Sequence, residues 1–335
     1  MKPGNKSIRK WLFFLLHLTG FFLLYLVIRD LQWTEFLTLL GQFPLWKYLA
    51  GLGILCAVYA IKSLRWHLLN RAFGINTSWR ESLVFYLSAG FLSVITPGRL
   101  GEFAKVYFLK RSHRIDLASA TSSVIMDRIW DVLVLSLAAG LSMLLFLNDI
   151  GWVAILFIVL LFMASLGMIL IPKLIFYPVL LAIRRFPKLR RRLEEIFHLW
   201  NRKRFNQFFT SLAMTAVAFL MLAFIPVLFS GHSPNPVSIR SGIGVISVSN
   251  ILSFIPITIA GFGTRELVFV QVWELNHYPK EIALSVSTAY FMVTYLGSLL
   301  MGGVVYLLNI KTLYRPGELR KMRIEEPGEA VNPEA

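Results

Sequence analysis

Residues 82–102 read SLVFYLSAGFLSVITPGRLGE. From Ser82 to Ile95 the run is uncharged and suits a helix in lipid, but Thr96-Pro97-Gly98 interrupts it and Arg99 and Glu102 follow at once. Proline lacks the N–H that a continuing helix needs and pushes the residue before it into an extended conformation. The segment therefore reads as one arm of a hairpin that enters an apolar medium, turns at Pro97-Gly98 and leaves by the side it entered. A second stretch, Ser241 to Thr264, ends alike in Gly261-Phe262-Gly263-Thr264-Arg265-Glu266. Length alone would let this second stretch cross as an ordinary helix.

The rest of the chain shows what that medium is. Of 335 residues, 56% are hydrophobic and 16% charged, against about 45–50% and about 25% in soluble domains. Six further stretches are nearly uncharged and close to the ~20 residues that a 30 Å hydrocarbon core demands. They run roughly over 11–28, 45–61, 118–147, 150–171, 205–229 and 282–309. The first follows Lys2, Lys6, Arg9 and Lys10 but leads into Arg29-Asp30-Leu31-Gln32-Trp33 rather than a small-residue cleavage site, so it reads as an anchor.

The positive-inside rule separates the readings of the two interrupted segments. If both are re-entrant and the N-terminus is cytoplasmic, 27 of the 34 lysines and arginines fall inside and only Arg29, Lys47, Arg240 and Lys280 outside. Arg99, Arg128 and Arg265 remain at membrane depth. A full crossing at 241–264 would instead export the basic tail around Lys311 and Arg315. The net charge of +16 is thus topological. The expected fold is all-α and polytopic, with about six transmembrane helices and two re-entrant hairpins. Residues 1–149, with a hairpin near 82–109, and 150–310, with a hairpin near 241–276, read as inverted repeats, followed by a disordered cytoplasmic tail over 311–335. Such repeats hold substrate sites near the midplane, on broken helices.

The two breakpoints carry like residues. Pro97, Gly98, Gly101, Gly261 and Gly263 form the expected turns, and non-helical backbone at that depth is tolerated only in protein or beside a polar cavity. Arg99 and Arg265 offer planar forks suited to phosphate oxygens. Glu102 and Glu266 could instead pair with those arginines and lock the turns. Symmetry predicts that the pairing runs between hairpins, Arg99 toward the Glu266 turn and Glu102 toward Arg265. In the third span Asp127, Arg128 and Asp131 share neighbouring positions on a helix face. Ionisable groups inside a membrane are costly and usually face a cavity, although charges at a helix end can snorkel to the interface.

Other chemistry finds little support. The stretch Arg184 to Arg204 alternates basic and apolar residues and suits an interfacial amphipathic helix on anionic lipid. Nucleic acid is not an expected partner, since no reading domain accompanies the charge. One cysteine and six scattered histidines make no metal or catalytic signature, so no cofactor, no metal and no enzyme activity are expected.

Three stretches together, Pro97-Gly98-Arg99-Leu100-Gly101-Glu102-Phe103-Ala104-Lys105, Asp127-Arg128 with Asp131, and Gly261-Phe262-Gly263-Thr264-Arg265-Glu266, resemble the lysylphosphatidylglycerol synthase transmembrane region, or flippase-like, family. The resemblance covers nearly the whole chain, which departs from it in having Ile259-Ala260-Gly261 where the family tends to Pro-Gly-Gly. It implies the membrane half of the multiple peptide resistance factor, without the aminoacyl-transferase domain, and so translocation of a lipid between leaflets of the plasma (inner) membrane. On that reading both termini are cytoplasmic, and Arg99, Glu102, Asp127, Arg128, Asp131, Arg265 and Glu266 bind the substrate. The arginines would hold phosphate, while the acids would receive a cationic headgroup substituent or compete for the arginines. Membrane phospholipid or glycolipid, a separate lipid-modifying synthase and a second copy of the chain are the compatible partners. A membrane-embedded enzyme of lipid or glycolipid synthesis and a scaffold for a synthase are the alternative readings.

Overall fold

The computed structural model describes residues 31–113, 115–146, 152–170, 205–231, 237–254, 261, 263–274 and 277–314, with residues 25, 28, 29 and 194 singly. The expected first span, the amphipathic stretch 184–204 and the tail beyond 314 lie essentially outside them. Among the described residues every regular element is helical.

A short α1 (Trp33–Gly41) precedes α2 (Leu45–Ala72), α3 (Trp79–Ile95), a 3-10 turn (Pro97–Phe103), α4 (Ala104–His113) and α5 (Leu117–Phe146). The second half contains α6 (Trp152–Leu170), α7 (Phe205–Ser230), α8 (Ile239–Phe254) and α9 (Thr264–Glu274). It closes with α10 (Lys280–Phe291), a π turn (Met292–Leu296), α11 (Gly297–Leu308) and a final turn α12 (Ile310–Leu313). Three helical stretches are long and apolar enough to cross a membrane, Leu45–Ala72, Phe209–Ser230 and Lys280–Leu308.

Local sequence accounts for the boundaries. Ser78 caps α3, its hydroxyl accepting from the Glu81 N–H at 3.2 Å, and Asp116 caps α5 through the Ser119 N–H at 2.7 Å. Gly74, at φ +76°, supplies the left-handed residue after α2. Thr96, ahead of Pro97, is extended at φ −111° and ψ 139°, and that ends α3. Its hydroxyl then accepts from the Gly101 N–H at 2.7 Å and donates to the Leu92 carbonyl at 2.8 Å, so one side chain satisfies backbone groups on both sides of the break.

One boundary differs from expectation in a way that matters for the site. The apolar span that reads as 45–61 continues as one helix to Ala72. At about 1.5 Å per residue, 28 residues reach about 42 Å, more than a 30 Å hydrocarbon core. The extra turns carry Lys62 and Arg65 on the body of the helix rather than in a loop.

The two halves interlock. Helix α2 packs on α7, α3 packs on α11, and α8 packs on α5. Each interrupted segment's first arm therefore lies against the last long helix of the other half. The α3–α11 contact is close because Gly302 faces the α3 backbone: a Cβ there would lie 2.6 Å from the Leu87 carbonyl oxygen. Several buried serines and threonines, Ser136, Thr215 and Thr294 among them, donate to the carbonyl four residues back.

Candidate functional site: a charged cavity between the halves

Arg65 is fully buried and faces α5 across the α2–α5 contact. Its Nη2 lies 2.5 Å from Asp127 Oδ1, and its Nη1 lies 2.9 Å from Asp131 Oδ1 and 2.6 Å from Thr215 Oγ1 on α7. Asp127 and Asp131 can both reach it because they are four residues apart on α5. Lys62, one turn before Arg65, holds Asp131 Oδ2 at 3.2 Å.

The 3-10 turn supplies the other side. Lys105, also fully buried, sits 2.9 Å from Asp127 Oδ2 and 3.1 Å from Glu102 Oε2. Its ammonium lies 4.2 Å from the ring centroid of Tyr86 and 5.3 Å from that of Trp66. Arg128 bridges the set, with Nη1 3.0 Å from Glu102 Oε1 and Nη2 2.9 Å from Asp127 Oδ2 and 3.2 Å from Asp131 Oδ2. Four cations and three carboxylates from α2, the turn, α4 and α5 thus form one network. Removal of ions from water costs several kcal/mol each, so such a group persists only when every member is paired.

Gly101 permits this arrangement. A Cβ on it would lie 2.2 Å from the Leu92 carbonyl carbon, so the turn can rest on the α3 backbone only with glycine there. Arg99 takes the left-handed conformation, φ +56°, at a cost of roughly 1–2 kcal/mol for a side-chain-bearing residue. Strain of this kind concentrates at functional sites. The guanidinium donates to Asn250 Oδ1 at 3.3 Å on α8 and to the Tyr295 hydroxyl at 3.2 Å in the π turn. Among the described residues no carboxylate forms an ion pair with it.

These groups border a cavity of about 120 Å³, well above the roughly 15 Å³ that admits one water. Arg99, Glu102, Arg128, Asp131 and Lys62 line it from the first half, with Asn250, Thr215, Tyr290, Tyr295 and Ser298 from the second. Asp127 lies behind this wall and is completely buried.

Arg265 and Glu266 are placed otherwise. They pair with each other, and Glu266 Oε2 accepts from the Gly263 N–H at 2.7 Å, which fastens the turn to the start of α9. Gly261 and Gly263, at φ +75° and +83°, make that turn possible. Arg265 packs against the rings of Phe291 and Tyr295, its guanidinium carbon 4.6 and 5.2 Å from the centroids. The expected cross-pairs therefore do not form: Glu102 is held by Lys105 and Arg128, and Arg265 by Glu266. A neutral side chain, Tyr295, joins the turns instead, accepting from Arg99 and lying beneath Arg265, while Asn250 ties Arg99 to α8. A cross-pair would have drawn Glu102 away from Lys105 and Arg128, and Glu266 away from its neighbour Arg265.

The expected topology counts Lys62, Arg65 and Lys105 among the cytoplasmic bases; in the structure they lie in helices, each paired with a carboxylate, and Arg65 and Lys105 are fully buried. The signal is present in the charge count. Of the residues expected at membrane depth, four carboxylates, Glu102, Asp127, Asp131 and Glu266, face three arginines, Arg99, Arg128 and Arg265, so one negative charge is uncovered; Lys105 lies three residues from Glu102, and Lys62 and Arg65 share a helix face just past the apolar run 45–61.

The lysylphosphatidylglycerol synthase TM region family matches residues 12–302, which contain every residue of the network and both glycine-rich turns. The chain belongs to this family. Membership makes it a membrane protein tied to lipid handling. No curated protein matches it.

Proposed function

We propose that this family member moves an anionic lipid headgroup between membrane leaflets through the cavity, as a flippase-like protein rather than a lipid synthase. The observation that carries the reading is Arg99. It is a strained arginine on a cavity shared by both halves, with neutral hydrogen-bond acceptors and no ion-pair partner among the described residues. A phosphate oxygen is the complement that such a fork lacks.

In this reading the chain has six spans and two re-entrant hairpins arranged as inverted repeats, with both termini in the cytoplasm of a cell whose plasma membrane it crosses. The length of the first hairpin's arm supports it. Helix α3, of 17 residues and ended by Thr96-Pro97, reaches about 26 Å, short of a 30 Å core. The turn Pro97–Phe103 that follows would then lie beside the cavity, where polar groups can be satisfied. A separate synthase would supply any modified lipid.

The test is movement of acyl-labelled phosphatidylglycerol across vesicles containing the purified chain, read by chemical quenching of the outer leaflet. Wild type should exceed protein-free vesicles, and Arg99→Ala should fall to that background while keeping its folded yield. Wild-type rates in Arg99→Ala would remove the cavity from transport. A wild-type rate equal to that of empty vesicles would remove transport itself.

A further inference from the structure

We infer that the cavity selects lipids by headgroup charge, accepting a phosphate headgroup whose other substituents are uncharged hydroxyls and rejecting one that carries an amine. The inference rests on the reading of the cavity as a lipid headgroup site. It narrows that reading against the lysyl-bearing lipid in the family's name.

The argument is the occupancy of the acids. A headgroup amine needs a carboxylate with a free face. Asp131 is already held by Arg65, Lys62 and Arg128, and Glu102 by Arg128 and Lys105. Asp127 is held by Arg65, Lys105 and Arg128 and does not border the cavity. Among the described residues the network and Arg99 together bring five cations against three carboxylates, a formal excess of two positive charges. Between buried side chains that excess is less screened than in bulk water, so it draws an anion and repels an ammonium. The remaining polar lining is neutral, with Tyr59, Asn250, Tyr290 and Ser298 offering hydroxyl and amide groups. Hydroxyls on a headgroup can be met there without any change in charge.

Lys62 is the cation best placed to set this preference. It borders the cavity, its side chain is 20% exposed, and Asp131 keeps two other cations without it.

The experiment measures thermal stabilisation of the purified full chain in detergent by added phosphatidylglycerol, lysyl-phosphatidylglycerol, phosphatidylethanolamine and water-soluble glycerol 3-phosphate. The same lipids are followed in the vesicle assay. Phosphatidylglycerol should stabilise at concentrations at least tenfold below either amine-bearing lipid, and Lys62→Gln should narrow that ratio several-fold. Equal or tighter binding of lysyl-phosphatidylglycerol overturns the inference, as does an unchanged ratio in Lys62→Gln. Stabilisation by glycerol 3-phosphate at the same concentration as the lipid would assign the cavity to a soluble phosphate and also overturn it. Selective stabilisation without movement in vesicles would uphold the selectivity and defeat the transport reading, so the two fail separately.

Discussion

Arg99 and Tyr295, 196 residues apart in the chain, meet through a 3.2 Å hydrogen bond to the phenol oxygen. Arg265, from the other glycine-rich turn, lies over the same ring at 5.2 Å. One tyrosine therefore couples the two turns. It can do so because it sits in the π turn Met292–Leu296, where the helix carries an extra residue and re-aims its side chains. Single π turns recur at functional sites.

Tyr295→Phe keeps the ring beneath Arg265 and removes the acceptor for Arg99, which retains Asn250. A hydrogen bond to a charged group contributes about 1.5–3 kcal/mol, so thermal stability should fall within that range or less, and lipid movement should fall several-fold. Tyr295→Leu should be worse on both counts, because the cation–π contact goes too. Wild-type behaviour of Tyr295→Phe in the vesicle assay would show that the coupling has no part in transport.

Arg65 is the linchpin of the buried network and should behave unlike Arg99. Arg65→Gln leaves Asp127 and Asp131 short of a cation and should destabilise the protein by about 3–5 kcal/mol, visible as lost folded yield and a lower Tm. Asp127→Asn should be similarly harmful, and the pair should be less harmful than the sum of the singles. Arg99→Ala strands no acid and loses only its two hydrogen bonds to neutral acceptors, so Tm should fall by clearly less than in Arg65→Gln. An Arg65→Gln variant as stable as Arg99→Ala would contradict the assignment of the network as structural.

Gly101→Ala and Gly53→Ala should have opposite signs. The first drives a methyl into the Leu92 backbone and should cost at least about 1–3 kcal/mol, with the 3-10 turn displaced. The second meets nothing within 4 Å in the middle of α2 and should stabilise by about 0.5–1 kcal/mol. Thermal unfolding of the two variants side by side reads this directly.

Because each hairpin's glutamate is satisfied locally, Glu102→Gln and Arg265→Gln should add in a double-mutant cycle on thermal stability, within about 0.5 kcal/mol. Glu102→Gln with Arg128→Gln should not, since those two side chains are in contact at 3.0 Å. A coupling of about 2 kcal/mol between Glu102 and Arg265, well outside additivity, would mean that the turns exchange partners in solution.

Much of the site is legible in the order of the residues. The Thr96-Pro97 break, the glycines of both turns and the Asp127-Arg128-Asp131 run follow from local rules that act within a few residues: proline geometry, glycine's freedom and helical spacing. The apolar runs likewise follow from the solvent they require, since only long uncharged helices satisfy their backbone in lipid.

Chain order alone thus settles where helices break and which of the residues near those breaks carry charge. Which charge meets which partner depends on packing. Lys62, Arg65 and Lys105 count only as cytoplasmic bases in chain order, and their pairing with Asp131, Asp127 and Glu102 is set by the packing of α2, α4 and α5. The pairing of Glu266 with Arg265, rather than with Arg99, has the same cause. Electrostatic preference acts through a few ångströms of space, and neighbours in space are set by the packing of α2 on α7, α3 on α11 and α8 on α5.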